Sequence, residues 1–226
     1  MGDTREIHNS GSGSLVLIGG GGHSLVVAEA ALLCGWSLGG FFDDHAEAVL
    51  RRGSPSAPRL GTLDDTRSLP ALLRQHPSNA WILVIGDTGV RRRMLNLVGP
   101  SAPRAATIVH PSAVVSPSAT IGAGVFVGPR AVVHTRARIG NHAIINTGCI
   151  VEHECDIGEN VHCAPGGVLG GRTRVGPDSL VGIGARTLPG AVIGAGAVVG
   201  AGAMVLKQVS DGTTVVGVPA KPRHPK

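Results

Sequence analysis

From Val109 onward one apolar side chain returns at every sixth residue: Val109, Val115, Ile121, Val127, Val133, Ile139, Ile145, Val151, Ile157, Cys163, Leu169, Val175, Val181, Thr187, Ile193, Val199 and Val205. Only Cys163 and Thr187 depart from Val, Ile or Leu. Two positions before each member after the first stands a small or narrow residue, among them Ala113, Ala119, Ala131, Ala137, Ala143, Cys149, Ser179, Ala185, Ala191 and Ala197. A helix returns a face about every 3.6 residues and a strand about every 2, so a sixfold period belongs to neither. It is the mark of a solenoid of internal repeats. If each unit forms one flat side and a turn, three units close a triangular coil with the large apolar residue inside. The small position then lets the chain turn without collision, and Gly122, Gly128, Gly140, Gly158, Gly176 and Gly194 are expected to ease the tight turns. Stacked coils would lie about 4.8 Å apart, the spacing of hydrogen-bonded strands. So narrow an interior excludes rings, and Phe126 is the sole aromatic residue of the repeat.

The preceding part of the chain has a different rhythm. Leu15 to Ile18 reads as a buried strand, Gly19 to Gly22 as a turn, and the segment from Ser24 as a helix. Leu38 to Phe42 reads as a second strand ending on Asp43 and Asp44, followed by a polar, proline-marked stretch through Leu60. A helix around Leu69 to Gln75, a third strand over Ala80 to Gly86, and a helix in DTGVRRRMLNLV complete the pattern. Alternating strands and helices imply a parallel sheet with right-handed crossovers. The expected organisation is therefore a flexible N-terminus over 1–14, an α/β Rossmann-like domain over 15–99, a GPSAPRAAT linker, and an all-β parallel β-helix over 106–226.

Composition narrows the function classes. Twenty basic against fifteen acidic residues leave a formal charge of +5, which suits a phosphate-bearing ligand, but the basic residues are scattered. Five aromatic residues in 226, none interleaved with basic clusters, argue against nucleic acid as partner. The first residues lack the pattern of a signal peptide, and no apolar run approaches the roughly 18 residues of a membrane span. A cytoplasmic protein without membrane insertion is expected. Cys34, Cys149, Cys155 and Cys163 contain no C-x-x-C pair and read as reduced core residues.

The hexads resemble the left-handed parallel β-helix of hexapeptide acyltransferases. Four motifs in order extend the resemblance over nearly the whole chain: IGGGGHSLVV with Asp43 and Asp44, VIGDTGVRRR, NTGCIVEHECDIGENVH and VVGVPAK. Together they are similar to the sialic acid O-acetyltransferase and bacillosamine N-acetyltransferase family of sugar acyltransferases. That resemblance implies a homotrimer, acetyl-CoA lying in the groove between neighbouring β-helices, and a nucleotide-activated sugar held by the front domain. No metal is expected.

Acetyl transfer needs a base for the proton of the nucleophile, and imidazole accepts a proton close to neutral pH. His153 is the candidate. Glu154 matches the second member of the family's HE pair, which is implied to hold one ring nitrogen and fix the tautomer. Glu152 either orients the amine or is a solvated corner residue. Asn146 matches a position near the sugar, with a structural asparagine in a left-handed turn as the alternative. His162, Gly171, Ile183 and Ala201 match acetyl-CoA contact positions, Ala201 standing where a glycine is common. In front, Gly20, Gly21 and Gly22 open a helix whose N–H groups suit an anion. The GGGGHS pattern lacks the full G-x-G-x-x-G of dinucleotide binding, which favours a sugar nucleotide. Asp43 and Asp44 would accept hydrogen bonds from base or ribose beside Gly86, while His23 touches the substrate or caps the helix.

The implied activity is N-acetylation of the amino group of a nucleotide-linked amino-deoxysugar, of the UDP-4-amino-sugar or GDP-perosamine type, for bacterial surface glycans. The alternatives are O-acetylation of a sialic-acid-type sugar and a non-catalytic sugar-nucleotide-binding protein. Trimeric zinc hydratases share this β-helix, but His134, His142, His153 and His162 do not reproduce their pair of histidines five residues apart. His134, His142 and His110 read as surface or interface residues.

Overall fold

The computed structural model describes residues 13–75, 80–100 and 105–223. These fall into two compact units, Met1–Pro111 and Ser112–Lys226, so the division comes a few residues after the expected start at 106. Residues 1–12 of the expected flexible terminus and 101–104 of the linker lie outside the described residues.

The first unit is built on a parallel sheet. Its strands are β1 (Gly13–Ile18), β2 (Trp36–Phe42), β3 (Arg59–Gly61) and β4 (Ala80–Leu83), in the order β3-β2-β1-β4. Helices α1 (Gly22–Leu33), α2 (Val49–Arg52) and α3 (Leu69–Gln75) connect them, and α4 (Thr88–Val98) follows β4. Four expected boundaries shift: β1 starts at Gly13, inside the stretch read as flexible, α1 starts at Gly22 and not at Ser24, β2 starts at Trp36 and not at Leu38, and the strand expected through Gly86 ends at Leu83. The apolar run of β1, Leu15 to Ile18, is buried because strands flank it on both edges. Val16, Ile18, Phe42, Leu69, Leu73, Trp81, Leu83, Met94 and Val98 form a common core. Asp87 starts α4, its carboxylate accepting from the Val90 N–H at 2.8 Å.

The second unit is a left-handed parallel β-helix. Up to Met204–Val205 the two-residue strands stack in register with those 18 residues away, as Val114–Val115 does on Val132–Val133, so three hexads make one coil; the last coil is shorter, Gln208 pairing with Val192 and Thr214 with Val198. Its first face carries strands beginning at Val114, Val132, Ile150, Val168, Arg186 and Met204. The second carries those at Thr120, Arg138, Asp156, Arg174, Val192 and Gln208, and the third those at Phe126, Ile144, His162, Leu180, Val198 and Thr214. From Val127 to Val205 every sixth-position residue is buried. The small residues two positions earlier also point inward, with Ala131, Ala137, Ala143, Cys149, Ala185 and Ala197 fully buried.

The glycines of the repeat require a correction. Gly122, Gly128, Gly140, Gly158, Gly176 and Gly194 do not have left-handed backbones. The left-handed corner position falls two residues later, and is held by Arg130, Arg136, His142, Glu154, Asn160, Arg172 and Asp178 as well as by glycines. Gly158 is needed because the next coil is too close. A Cβ there would lie 2.7 Å from the Pro177 nitrogen and 2.9 Å from the Val175 carbonyl oxygen.

Cys149, Cys155 and Cys163 are buried free thiols of the solenoid interior, and Cys34 donates to the Val109 carbonyl at 3.3 Å. The hydrogen bond with Cys149, followed by burial, raises the Cys163 pKa. Burial pushes Cys155 up to about 11. Thiolate is the reactive form, so iodoacetamide is expected to modify these three residues only after denaturation. Rapid labelling of the folded protein, read by mass spectrometry, would contradict the assignment.

Candidate active site

In the first unit the strand order reverses on either side of β1, since β2 and β3 lie to one side and β4 to the other. Ligands of open α/β sheets bind beyond the strand C-termini at such a switch point. There the structure gathers Gly20, Gly21, Gly22 and His23 after β1, Asp43 and Asp44 after β2, and Gly86 beyond β4. Gly20 is sterically required, because a Cβ would fall 2.6 Å from the Phe41 ring and 2.8 Å from the Ala48 Cβ. Gly21 and Gly22 face open space. Helix α1 has neither a side-chain cap nor an acidic residue in its first turn, so its positive end is available to an anion. Beside it lies a cavity of about 520 Å³ lined by Gly21, Asp43, His45, Ala46, Glu47, Ala48 and Val49.

The aspartates are tied into this loop cluster. One oxygen of Asp43 accepts from the Gly20 N–H at 2.7 Å and the other from the His45 N–H at 2.8 Å. Asp44 accepts from the Leu63 N–H at 2.9 Å. Their first task is thus to hold the glycine loop and its neighbours, and what they offer a ligand is their remaining lone pairs. His45 was not singled out from the sequence; it lies in a segment without periodicity.

In the β-helix, His153 and Glu154 occupy the edge between the first and second faces, directly after the strand Ile150–Val151. Val151 keeps its place in the core, so the pair projects from an uninterrupted repeat. Glu154 has φ +59°, and its N–H donates to the Thr135 carbonyl of the preceding coil at 3.0 Å. The turn brings Glu154 Oε2 to 3.3 Å from His153 Nδ1, while Oε1 lies 3.7 Å from Arg136 Nη1. Glu152 Oε2 accepts from the His153 N–H at 3.4 Å. With Nδ1 engaged, Nε2 is the ring nitrogen left to accept a proton. The side chains of His153 and Glu154 are 47% and 43% exposed, accessible to a ligand yet fixed by the corner. Gly171 stacks on this edge one coil later, its position facing the His153 ring.

The remaining candidates lie on a different edge. Asn146, Ile183 and Ala201 sit between the third and first faces, and His162 projects from the third face with Nε2 3.3 Å from Asn146 Nδ2. The Asn146 backbone is not left-handed; its Oδ1 accepts from the Thr147 N–H at 2.8 Å. One side of the triangle, about 15 Å at the rise of an extended chain, separates these residues from His153 within a single chain. Among the described residues no three His, Cys, Asp or Glu side chains come together as metal ligands. No helix there is long and apolar enough to cross a membrane.

Residues 14–98 match the PglD N-terminal domain family. The chain is similar to a histidine-to-alanine mutant of GDP-perosamine N-acetyltransferase from Caulobacter crescentus, solved in complex with CoA and GDP-perosamine. Identity is 35%, the match covers 94% of this chain and 97% of that one, and the TM-score is 0.84. It is also similar to the acetyltransferase domain of PglB from Neisseria gonorrhoeae, solved with acetyl coenzyme A, at 34% identity, 93% and 98% coverage and a TM-score of 0.82. A serine acetyltransferase of Bacillus pumilus is 36% identical over 95 residues, 38% of this chain and 44% of that protein. The chain thus spans less than half the length of that curated relative.

Proposed function

The chain belongs to the sialic acid O-acetyltransferase and bacillosamine N-acetyltransferase family of hexapeptide-repeat sugar acyltransferases, and from that premise we propose that it N-acetylates a nucleotide-linked amino-deoxysugar with acetyl-CoA as donor. The observation that carries this reading is the His153–Glu154 pair, presented at a corner of the β-helix with Nδ1 against the Glu154 carboxylate and no hydrogen-bond partner on Nε2 among the described residues. It is supported by similarity over both domains to an enzyme solved with CoA and GDP-perosamine.

In the proposed reaction the neutral amine of the sugar attacks the thioester carbonyl. His153 Nε2 takes the proton that the nitrogen sheds as the tetrahedral intermediate collapses, and the CoA thiolate leaves with the former C–S electron pair. The proton then passes from the imidazolium to the thiolate or to water, so no covalent enzyme intermediate is required. Glu154 keeps the proton on Nδ1 and stabilises the imidazolium as it forms. The Gly171 amide, which no acceptor among the described residues caps, is free to donate to the thioester carbonyl.

The segregation of candidates onto two edges supports a shared site. His153, Glu154 and Gly171 on one copy would meet Asn146, His162, Ile183 and Ala201 on a neighbour, as a homotrimer with acetyl-CoA between β-helices would allow. The partly buried Val132, Ile150, Val168 and Met204 of the intervening first face give such copies an apolar surface on which to pack. The front-domain cluster around Gly20, Gly21, Gly22, His23, Asp43, Asp44 and Gly86 would hold the nucleotide.

Incubation with acetyl-CoA and a panel of nucleotide sugars carrying either an amine or only hydroxyls tests the reading. CoA release and an acetylated amine are expected; acetyl transfer to hydroxyls alone would overturn it. Glu154→Gln should lower kcat roughly 10²-fold, less than for a buried triad carboxylate because Glu154 is half-exposed. Unchanged kcat would remove Glu154 from the mechanism.

A further inference from the structure

We propose that Gly171 is a positioning residue: the side chain it lacks is the seat in which the His153 imidazole rests. The inference deepens the assignment of His153 as base and rests on it.

Coil stacking sets the relation, since the Arg172 N–H donates to the His153 carbonyl at 2.9 Å and thereby fixes residue 171 against residue 153. A Cβ built on Gly171 would have three atoms of the His153 ring as its nearest neighbours, with Cε1 at 2.6 Å, Cδ2 at 3.0 Å and Nε2 closer still. Ordinary van der Waals contact begins at 3.4 Å. The surrounding glycines have other reasons to be glycine. A Cβ on Gly170 would meet the backbone of Thr187, Leu188 and Pro189, and Gly190 has φ +76°. Gly171 has no left-handed φ, and no backbone atom is among the nearest three neighbours of its Cβ. What excludes a side chain at 171 is the imidazole.

The ring is therefore held on two sides, by the Glu154 carboxylate at Nδ1 and by the bare Gly171 backbone along its Nε2–Cε1 edge. A methyl group at 171 must push Nε2 aside by about 1 Å or swing the ring away from Glu154, a displacement that costs about 10²-fold when the reacting atoms depend on it. The imidazole is a half-exposed side chain with room to swing, so the fold should tolerate what the chemistry does not.

Gly171→Ala is the test, because alanine keeps the amide and needs no new backbone conformation. A fall in kcat of about 10²-fold is expected, with the thermal midpoint and the KM for acetyl-CoA close to wild type. Placed in a His153→Ala background, the same substitution should lower the residual rate by far less than it lowers the rate of the otherwise native protein. In NMR spectra of the otherwise native protein, Gly171→Ala should shift the His153 ring resonances. The proposal is overturned if the substitution raises the KM for acetyl-CoA while kcat is kept, if it lowers the rate by the same factor with and without His153, or if the His153 resonances stay in place. A wild-type protein that acetylates no sugar would remove the proposed function, while the NMR comparison still decides the seat.

Discussion

Replacing His153 by alanine is expected to lower kcat for acetyl transfer by roughly 10²- to 10⁴-fold, the range that a positioned general base contributes, with little change in KM for either substrate. Val151 stays buried and the coil closes in register on Val133 and Leu169, so nothing in the scaffold depends on the imidazole. Nδ1 faces Glu154 Oε2 at 3.3 Å, leaving Nε2 for the amine. Because the side chain is 47% exposed, alanine leaves no buried cavity, and the thermal midpoint should hold. His153→Asn sharpens the experiment, since it restores a polar side chain that cannot take up the proton. If alanine and asparagine both retain wild-type kcat, His153 is not the base. If kcat holds and KM rises for the sugar nucleotide alone, the imidazole binds the acceptor and does not deprotonate it.

What could be read from the chain alone follows from which forces act locally. The sixfold recurrence was legible because a narrow interior imposes the same demand on every hexad, and residues from Val127 to Val205 answer it. The glycine columns were misread because composition reports that a side chain is missing and not what would strike it. Turn and stacking glycines look alike until Gly158 is seen against Pro177 and Val175. The left-handed corners held by Arg136, Glu154 and Arg172 run against the backbone preference of those residue types, which the stacked hydrogen bonds override. His153 and Glu154 are adjacent in sequence, so their pairing was visible. Arg136 was not, because its relation to Glu154 exists only once the coil length places one above the other. The short strand Arg59–Gly61, with a charge at one end and glycine at the other, carried no periodic signal. Asp43 and Asp44 were visible as polar residues at a strand end, yet the backbone donors that occupy them come from Gly20, His45 and Leu63, partners that tertiary structure supplies.

The largest expected effect on stability comes from the stacked edge between the second and third faces, where Gly122, Gly140, Gly158, Gly176 and Gly194 follow one another coil by coil. A single added methyl, Gly158→Ala, should destabilise by about 3 kcal/mol, the upper part of the range for overpacking. Its contacts would be backbone atoms: the Pro177 nitrogen at 2.7 Å, the Val175 carbonyl oxygen at 2.9 Å and the Gly176 carbonyl carbon at 3.0 Å. No rotamer change can relieve them. Opposing this, burying the methyl contributes only about 0.8 kcal/mol, and removing glycine from the unfolded chain about 0.4 to 1 kcal/mol. The repulsion prevails because moving the coils apart would stretch the Gly158 N–H bond to Val175 at 2.8 Å together with its neighbours in the ladder. At about 2–4 °C per kcal/mol for a chain of this size, the thermal midpoint should fall by roughly 6–12 °C. Gly148→Ala is the comparison. It lies at a left-handed corner with φ +62° and nothing within reach of a Cβ, so it should cost only the roughly 1–2 kcal/mol of a side chain in that conformation. Were Gly158→Ala to melt with wild type, or Gly148→Ala to cost more, the column would be shaping turns after all and the close approach of the coils would not be what keeps it bare.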